Sequence, residues 1–321
     1  MPTNQTTRPL LSRGIVTTTK SPREGMLRLA HTLCRQLDMD YIPYRNSIKQ
    51  ALEEGHADYA VVVERDDLKV SWKEGVFRHH PGLAIYRVGV NQPSHFLGAV
   101  RPRWGERTLD LTLGFGRDAL WLADRTDQRV DGYEVNPTIA TVTAYGLQRL
   151  LRIKRFVKVA PRIRVYRGDS FNALTRLGRN RYDIVLMDPL FPRPVRGSID
   201  MEFLHNLVQP RRFDVETLRL AASVASRRIV LRWPRSQPAP DLGFDQIVQG
   251  QRTLRLPCPG SLTKRHSTPP PTPLSLRRND FRIKTARRLI AQNRALITRV
   301  CKPMRPRLDR GRLNHEFTNP F

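Results

Sequence analysis

Four segments with the composition of β-strands each end on or beside an acidic residue. The acids are Asp110, Glu134, Asp169 and Asp188, and a Gly-Phe-Gly turn at 114–116 follows the first of these strands. In a doubly wound sheet, a ligand binds outside the carboxyl ends of the parallel strands, where the strand order reverses. One acid at such a position is common. Four acids in register predict a site for a ligand that offers positive charge, hydroxyls and amines.

S-adenosylmethionine (SAM) carries all of these groups. Asp110 could hold the ammonium of its amino-acid part, directly or through water. Glu134, at the end of the second strand, is placed to accept hydrogen bonds from both ribose hydroxyls. Asp169, together with Ser170, could bond the adenine edge. The acids at the strand ends therefore predict SAM as the cofactor.

The glycine turn is open to other interpretations. Gly114 and Gly116 would let the backbone approach a cofactor without clashes from Cβ atoms. The run from Gly114 to Ala119 also satisfies the G-x-G-x-x-A pattern, and Glu134 follows Gly116 by 18 residues, so an NAD(P)-dependent oxidoreductase is an alternative. A turn with only a structural role is another. Asp110 favours SAM, because a pyrophosphate site avoids negative charge.

The segment Asp188-Pro189-Leu190-Phe191 predicts the reaction, since it resembles the D/N-P-P-Y/F motif of methyltransferases that act on exocyclic base amines. Such an amine is a poor nucleophile, because its lone pair is delocalised into the ring. The carboxylate of Asp188 and a backbone carbonyl could accept both N–H groups and draw the lone pair towards the methyl carbon. Phe191 could stack on the extruded base, a contact worth about 1–3 kcal/mol, and Pro189 would stiffen the loop for in-line transfer. A turn with Phe191 in the core is the alternative.

Strands that alternate with helices must position these residues, and this alternation predicts a parallel sheet with helices on both faces. The fold class is thus α/β, a Rossmann-like class I methyltransferase fold with a doubly wound, mainly parallel sheet. The predicted strands are residues 108–113, 129–134, 162–167, 182–187 and 227–233, with a closing pair at 244–248 and 251–256. The predicted helices open at residue 118 and cover 138–151 and about 214–223.

The chain is predicted to divide into four parts: a disordered segment 1–13, a small α+β module 14–100, a SAM-binding domain 101–256 and a basic tail 257–321. In the module, Ser21, Pro22 and Glu24 have the spacing of a capping box and predict the start of a helix. The tail contains 15 lysines and arginines against 3 acids, together with a Pro-Pro-Pro run, and is predicted to be mostly disordered.

The formal net charge of +27 favours a polyanionic partner, because each cation placed on a phosphate releases condensed counterions. RNA is the expected partner. A basic RNA-binding protein with a vestigial pocket therefore remains an alternative to an enzyme. The three cysteines fit no disulfide framework or zinc spacing, and no apolar run is long enough for a membrane span or a signal peptide. We expect a cytoplasmic protein with no membrane association and no requirement for a metal, since the sulfonium of SAM is already an activated leaving group.

The same motifs resemble those of the RsmJ (YhiQ) family, class I methyltransferases that modify the guanine N2 amine in bacterial small-subunit ribosomal RNA. The residues that carry the resemblance lie at 110–119, 134–137, 169–170 and 188–192. Two further segments, 16–20 and 80–84, look more like an uncharacterised Gram-positive branch of that superfamily, and Leu190 stands where the family usually has methionine. The resemblance implies SAM contacts at Arg117, Asp118, Glu134, Val135, Asp169, Ser170 and Asp188.

Overall fold

The computed structural model describes residues 11–90, 94–190, 199–208, 214–233, 246–248 and 252–257. These residues form two sheets. The predictions for residues 1–10, Phe191, Pro192 and residues 258–321 lie outside the described part of the chain. No described helix is both long and apolar enough to cross a membrane.

The first sheet has five strands in the order β2-β1-β3-β4-β5. Its elements are β1 (Gly14–Thr18), α1 (Glu24–Leu37), β2 (Asp40–Tyr41), α2 (Ile48–Glu54), β3 (Tyr59–Val63), β4 (Leu68–Trp72) and β5 (Gly75–Arg78). β1 runs parallel to β2 and β3, and the β3-β4-β5 meander is antiparallel. The small α+β module predicted for residues 14–100 thus contains a mixed sheet with helices α1 and α2.

Two expectations for this part of the chain are wrong. Ser21 does not cap α1. Its backbone is left-handed (φ 54°), whereas a serine at an N-cap typically has an extended backbone, and the N-cap is Arg23, which makes no side-chain capping bond. Predicted disorder up to residue 13 fails for residues 11–13. Leu11 is buried and its N–H donates to the carbonyl of Asn206 over 2.9 Å, and the N–H groups of Ser12 and Arg13 both donate to Asp58.

The second sheet has seven strands in the order β11-β12-β10-β9-β6-β7-β8. Two short helices precede it, α3 (Ala84–Arg87) and α4 (His95–Val100). Its strands are β6 (Thr108–Asp110), β7 (Val130–Glu134), β8 (Ile163–Arg167), β9 (Tyr182–Met187), β10 (Ala225–Trp233), β11 (Gln246–Val248) and β12 (Arg252–Pro257). The helices are α5 (Arg117–Thr126), α6 (Pro137–Leu150), α7 (Ser170–Leu174), α8 (Ile199–Leu207) and α9 (Val215–Val224).

Strands β6 to β10 are parallel, and β11 and β12 close the sheet as an antiparallel pair. From β6 the chain builds outward on one side through β7 and β8, and then on the other side through β9 and β10. The strand order therefore reverses between β6 and β9, which is where this class of sheet binds its ligands. The predicted doubly wound Rossmann-like fold is confirmed.

The two sheets share a hydrophobic core. Val16 and Val61 of the first sheet belong to the same buried cluster as Ile139 of α6 and Phe203 of α8. Helices α3 and α4 also pack against the second sheet's layer, where Phe96 stacks on Trp121 with ring centroids 5.6 Å apart. The division between module and methyltransferase domain near residue 100 stays a prediction.

Candidate functional site

A cavity of about 980 Å³ opens at the carboxyl ends of β6, β7, β8 and β9. The four acids predicted from the strand ends all line it: Asp110, Glu134, Asp169 and Asp188. The other predicted cofactor residues on its wall are Gly114, Arg117, Asp118, Val135 and Ser170, and Pro189 is there as well. The parallel sheet has thus brought together residues spread over about eighty positions of sequence. Of the predicted catalytic residues, Phe191 lies outside the described residues.

Gly116 does not line the cavity. It caps α5 with a left-handed backbone (φ 70°), and its N–H donates to the carbonyl of Leu113 over 2.8 Å. Gly114 is also left-handed (φ 51°), but it lies on the cavity wall. The two glycines of the motif therefore differ in role: Gly116 shapes the turn, and Gly114 offers its backbone to the cavity.

Glu134 ties the glycine turn to the end of β7. Its buried carboxylate accepts hydrogen bonds from the N–H of Gly114 over 3.1 Å and from the N–H of Asn136 over 2.8 Å. Burial raises the pKa of Glu134 to about 7, against the opposing effect of these backbone donors. The two backbone donors hold the carboxylate in one orientation.

Asp110 behaves in the same way at the end of β6. It is buried and accepts a hydrogen bond from the N–H of Thr112 over 3.0 Å. Burial raises its pKa to about 7, and the neighbouring carboxylates Asp118 and Asp188 contribute to the rise. A cation placed beside it would restore its charge, which suits the predicted contact with an ammonium group.

Arg232, near the end of β10, is the functional candidate that the sequence interpretation missed. Its Nη1 lies 2.5 Å from Oδ2 of Asp188 and 2.7 Å from Oδ2 of Asp118. The guanidinium also lies over the ring of Phe96, 4.6 Å from the centroid. The signal was present, because Arg232 lies near the carboxyl end of a predicted parallel strand, which is the edge where this class of sheet binds its ligands. One cation on the neighbouring strand balances two of the carboxylates around it.

The loop that carries Asp188 is fixed from two directions. The N–H of Asp188 donates to the hydroxyl of Thr112 over 2.7 Å, which joins it to the turn after β6. Burial raises the pKa of Asp188, the pairing with Arg232 opposes that rise, and Asp118 adds to it. Arg232 is thus the cation that opposes the rise in the pKa of Asp188.

Arg117 is supported by a turn from the first part of the chain. Its Nη2 donates to Asp200 of α8, and Nε2 of His80 lies 2.9 Å from the same carboxylate. Gly82 is left-handed (φ 55°), and a Cβ there would lie 2.7 Å from Nε of Arg117. The segment 80–84 was notable in the sequence only for its resemblance to the Gram-positive branch. In the structure it packs against Arg117, a residue that lines the cavity.

Three further elements complete the wall. Leu83, Arg87, His95 and Phe96 come from the α3–α4 region, and Met201, Leu204 and His205 come from α8. None of these carries a motif, and no sequence interpretation assigned them a function. Asp169 caps α7 by accepting from the N–H of Phe171 over 2.8 Å, so its position on the wall also follows from a local cap.

A model of the family described as "Putative SAM-dependent methyltransferase" matches residues 85–247, just over half of the chain. The chain belongs to this family. It is an enzyme that uses SAM as its cofactor, and the dehydrogenase interpretation of the glycine turn is set aside. The match begins at α3, whose residues contribute to the cavity wall.

Individual relatives agree with this assignment. The uncharacterized protein YpiP of Bacillus subtilis is 28% identical over 228 residues, which cover 68% of this chain and 88% of that protein. Ribosomal RNA small subunit methyltransferase J is 29% identical over 173 residues in Marinobacter nauticus and 32% identical over 150 residues in Thioalkalivibrio sulfidiphilus. Those matches cover 53% and 45% of this chain, and 60% and 58% of the two relatives. The resemblance predicted from the motifs is confirmed.

A solved structure shares the fold. The SAM-dependent methyltransferase NGO1261 of Neisseria gonorrhoeae superposes with a TM-score of 0.54 at 20% identity, over 75% of this chain and 93% of that one. At that identity the likeness concerns the architecture of the sheet and helices.

The wall of the cavity suits SAM chemically. Carboxylates from three strand ends can accept from an ammonium, from ribose hydroxyls and from an adenine amine. Arg117 and Arg232 line the same cavity and carry positive charge, which suits the carboxylate of the methionine part of SAM.

Proposed function

We propose that this methyltransferase acts on an exocyclic base amine of RNA, most specifically guanine N2 of small-subunit ribosomal RNA. The observation that carries the proposal is the ion pair between Arg232 and Asp188 on the wall of the SAM cavity, at the position of the base-amine motif. The naming of several relatives as ribosomal RNA small subunit methyltransferase J supports this substrate.

In this proposal, different residues of the cavity wall bind different parts of SAM. Glu134 accepts from the ribose hydroxyls, Asp169 with Ser170 contacts the adenine edge, and Asp110 faces the ammonium. Gly114 brings its backbone close, Val135 lies beside Glu134, and Asp118 is steadied by Arg232. Arg117 donates to the carboxylate. When bound, SAM would supply a methyl group attached to a positively charged sulfur. That sulfur would become part of a neutral thioether, which is the leaving group.

Asp188 acts on the nucleophile. Arg232 holds its Oδ2, so we assign Oδ1 to the acceptance of a hydrogen bond from the amine. This bond draws the nitrogen lone pair away from the ring, and the carboxylate takes the proton that nitrogen loses when the new C–N bond forms. Pro189 limits the freedom of the loop that carries Asp188, and Phe191 is proposed to stack on the base. The electrostatic setting suits the task, because burial raises the pKa of Asp188 and so makes the carboxylate a better proton acceptor, while Arg232 opposes that rise.

Two measurements test the proposal in sequence. Calorimetric titration with SAM, and with NAD in parallel, should show saturable binding of SAM that weakens in Glu134→Ala. Purified protein should then transfer labelled methyl groups to unmodified small-subunit RNA, and nuclease digestion with mass spectrometry should identify N2-methylguanosine. SAM binding without methylated RNA would overturn the substrate assignment. RNA binding without SAM binding would instead favour a vestigial pocket.

A further inference from the structure

We propose that the surface formed by residues 83–87 and 152–158, named here the docking face, binds the phosphate backbone of the RNA that presents its base to the cavity. This inference rests on the proposed RNA substrate and adds the place where that RNA lies. The face is built by helix α3 with its preceding residue and by the turns that follow α6.

The charge of the second segment is one-sided. Residues 149–167 contain eight lysines and arginines and no aspartate or glutamate. Arg152, Lys154, Arg155 and Lys158 are exposed. Arg152 pairs with Asp66 over 3.2 Å, whereas neither lysine forms an ion pair with a described residue. Exposed cations without acidic partners are the electrostatic requirement for contact with a nucleic-acid backbone.

These cations are presented by ordered backbone. Phe156 is fully buried in the core between them, and its N–H donates to the carbonyl of Ile153 over 2.8 Å. The N–H of Val159 donates to the carbonyl of Phe156 over 3.0 Å. The buried phenylalanine anchors the turn, so Lys154 and Lys158 project from a fixed base.

The basic segment is joined to the wall of the cavity. Arg155 donates to the backbone carbonyl of Ile85, which connects the turn to α3. Leu83 and Arg87, on either side of Ile85, line the cavity, and the guanidinium of Arg87 lies 4.6 Å from the ring centroid of Trp121. An RNA strand held by the lysines would therefore lie next to residues that line the cavity.

The apolar side chains on this face fit RNA as well. Tyr86 is 70% exposed and Leu83 is 60% exposed, and Ile153 and Val157 are also exposed. An exposed aromatic ring among cations suits an unpaired nucleotide, because a base can stack on the ring while its phosphate meets a lysine. The absence of acids in residues 149–167 favours a polyanion over a protein partner of mixed charge.

Charge substitution in the full chain tests the proposal. The variants are K154Q/K158Q and K154E/K158E, and the matched controls are K49Q/K73Q and K49E/K73E, whose lysines are exposed on the first sheet's part of the chain. The probe is a fluorescent fragment of small-subunit ribosomal RNA, titrated at several salt concentrations. We expect K154E/K158E to bind it at least tenfold more weakly than its control. In K154Q/K158Q the slope of log K against log salt should fall in magnitude by about 1.5, because two phosphate contacts are lost.

Two further measurements separate the possible outcomes. SAM affinity should be unchanged in all four variants, which shows that the fold and the cavity are intact. Tyr86→Ala should weaken RNA binding without changing the salt slope, as expected for a stacking contact. If the Lys154/Lys158 variants bind RNA with the affinity and salt slope of the control variants, the docking face is overturned. If these variants keep RNA binding and lose the binding of a protein, the face belongs to a protein partner and the proposal also fails. If wild-type protein binds RNA through this face but methylates none, the proposed function fails and the face stands.

Discussion

Arg232 of β10 and Asp188, the residue that follows β9, form an ion pair, with Nη1 and Oδ2 separated by 2.5 Å. The same Nη1 lies 2.7 Å from Asp118 at the start of α5. A buried carboxylate normally takes up a proton, because charge is poorly solvated there. This pairing therefore opposes the rise that burial causes in the pKa of Asp188.

Removal of the Arg232 charge should affect catalysis more than cofactor binding. Asp188 would face Asp110 and Asp118 without a compensating cation, so its pKa would rise. We expect Arg232→Gln to lower kcat by about 10- to 100-fold, since each 1.4 kcal/mol lost at the transition state lowers the rate about tenfold. The acidic limb of the pH–rate profile should move to higher pH. Arg232→Lys should restore most of kcat and most of the wild-type position of the acidic limb. An unchanged pH–rate profile in Arg232→Gln would count against a role of Arg232 in setting the pKa of Asp188.

Asp188 itself should be dispensable for folding and needed for methyl transfer. In Asp188→Ala, Arg232 keeps its contact with Asp118, so a buried cation is not left alone. We expect circular dichroism and thermal melting close to wild type, with most of the methyl transfer lost. Asp188→Asn, which keeps an acceptor but not the charge, should retain more activity than Asp188→Ala. Turnover at the wild-type rate in either variant would contradict the assignment.

Affinity for SAM should depend on pH near neutrality. Burial raises the pKa values of Asp110 and Glu134 to about 7, and the ionised form of each is the stronger acceptor for the cofactor's donors. Protonation competes with binding as pH falls, so affinity should weaken from pH 8 to pH 6. Binding near pH 7 should release protons, which calorimetry in buffers of different ionisation enthalpy detects. Glu134→Gln should bind SAM more weakly at pH 8, and its SAM affinity should depend less on pH. If the variant releases as many protons on binding SAM as the wild type, Glu134 is not the source of the pH dependence.

Gly146 in α6 should not tolerate a side chain. A Cβ there would lie 2.1 Å from the ring of His79, which is buried and fixed by a 2.9 Å hydrogen bond between its Nε2 and the carbonyl of Phe115. We expect Gly146→Ala to lower the free energy of unfolding by about 1–3 kcal/mol, as overpacking does. Gly98 in α4 is the control, because a Cβ there meets nothing within 4 Å. Gly98→Ala should be neutral or stabilising in the same denaturant titration, since alanine is the better helix former.

The basic tail should be dispensable for the fold. Strand β12 ends at Pro257, which pairs with Arg228 of β10, so a chain that stops after Pro257 retains the whole second sheet. We expect this truncated protein to remain soluble and to bind SAM with the affinity of the full chain. Titration of both proteins with SAM checks this. Insoluble protein, or a lost cavity, would place the end of the domain further along the chain.

Much of the second sheet could be predicted because its strands are short, apolar and separated by turn residues. The segment 182–187 is predicted and observed with the same bounds, and the closing pair of strands is present. Helices α3 and α4 were not predicted, because they are only four and six residues long and too short for a helical periodicity to show. The prediction that Ser21 caps a helix is wrong for a related reason. Residue spacing indicates where a cap could lie, but the backbone conformation determines which residue is the N-cap.

The sequence by itself determined the fold class, the cofactor and the acids of the site, because strand ends, glycines and carboxylates have local chemical signatures. Only the tertiary structure decided how these acids are balanced. Arg232 is 44 positions from Asp188 in the chain, and His80 and Gly82 reach Arg117 from a different part of it. The physical reason is that ion pairing and steric support depend on distances in space. Those distances follow from the packing of β9 against β10 and of residues 80–84 against α5, which no local pattern encodes.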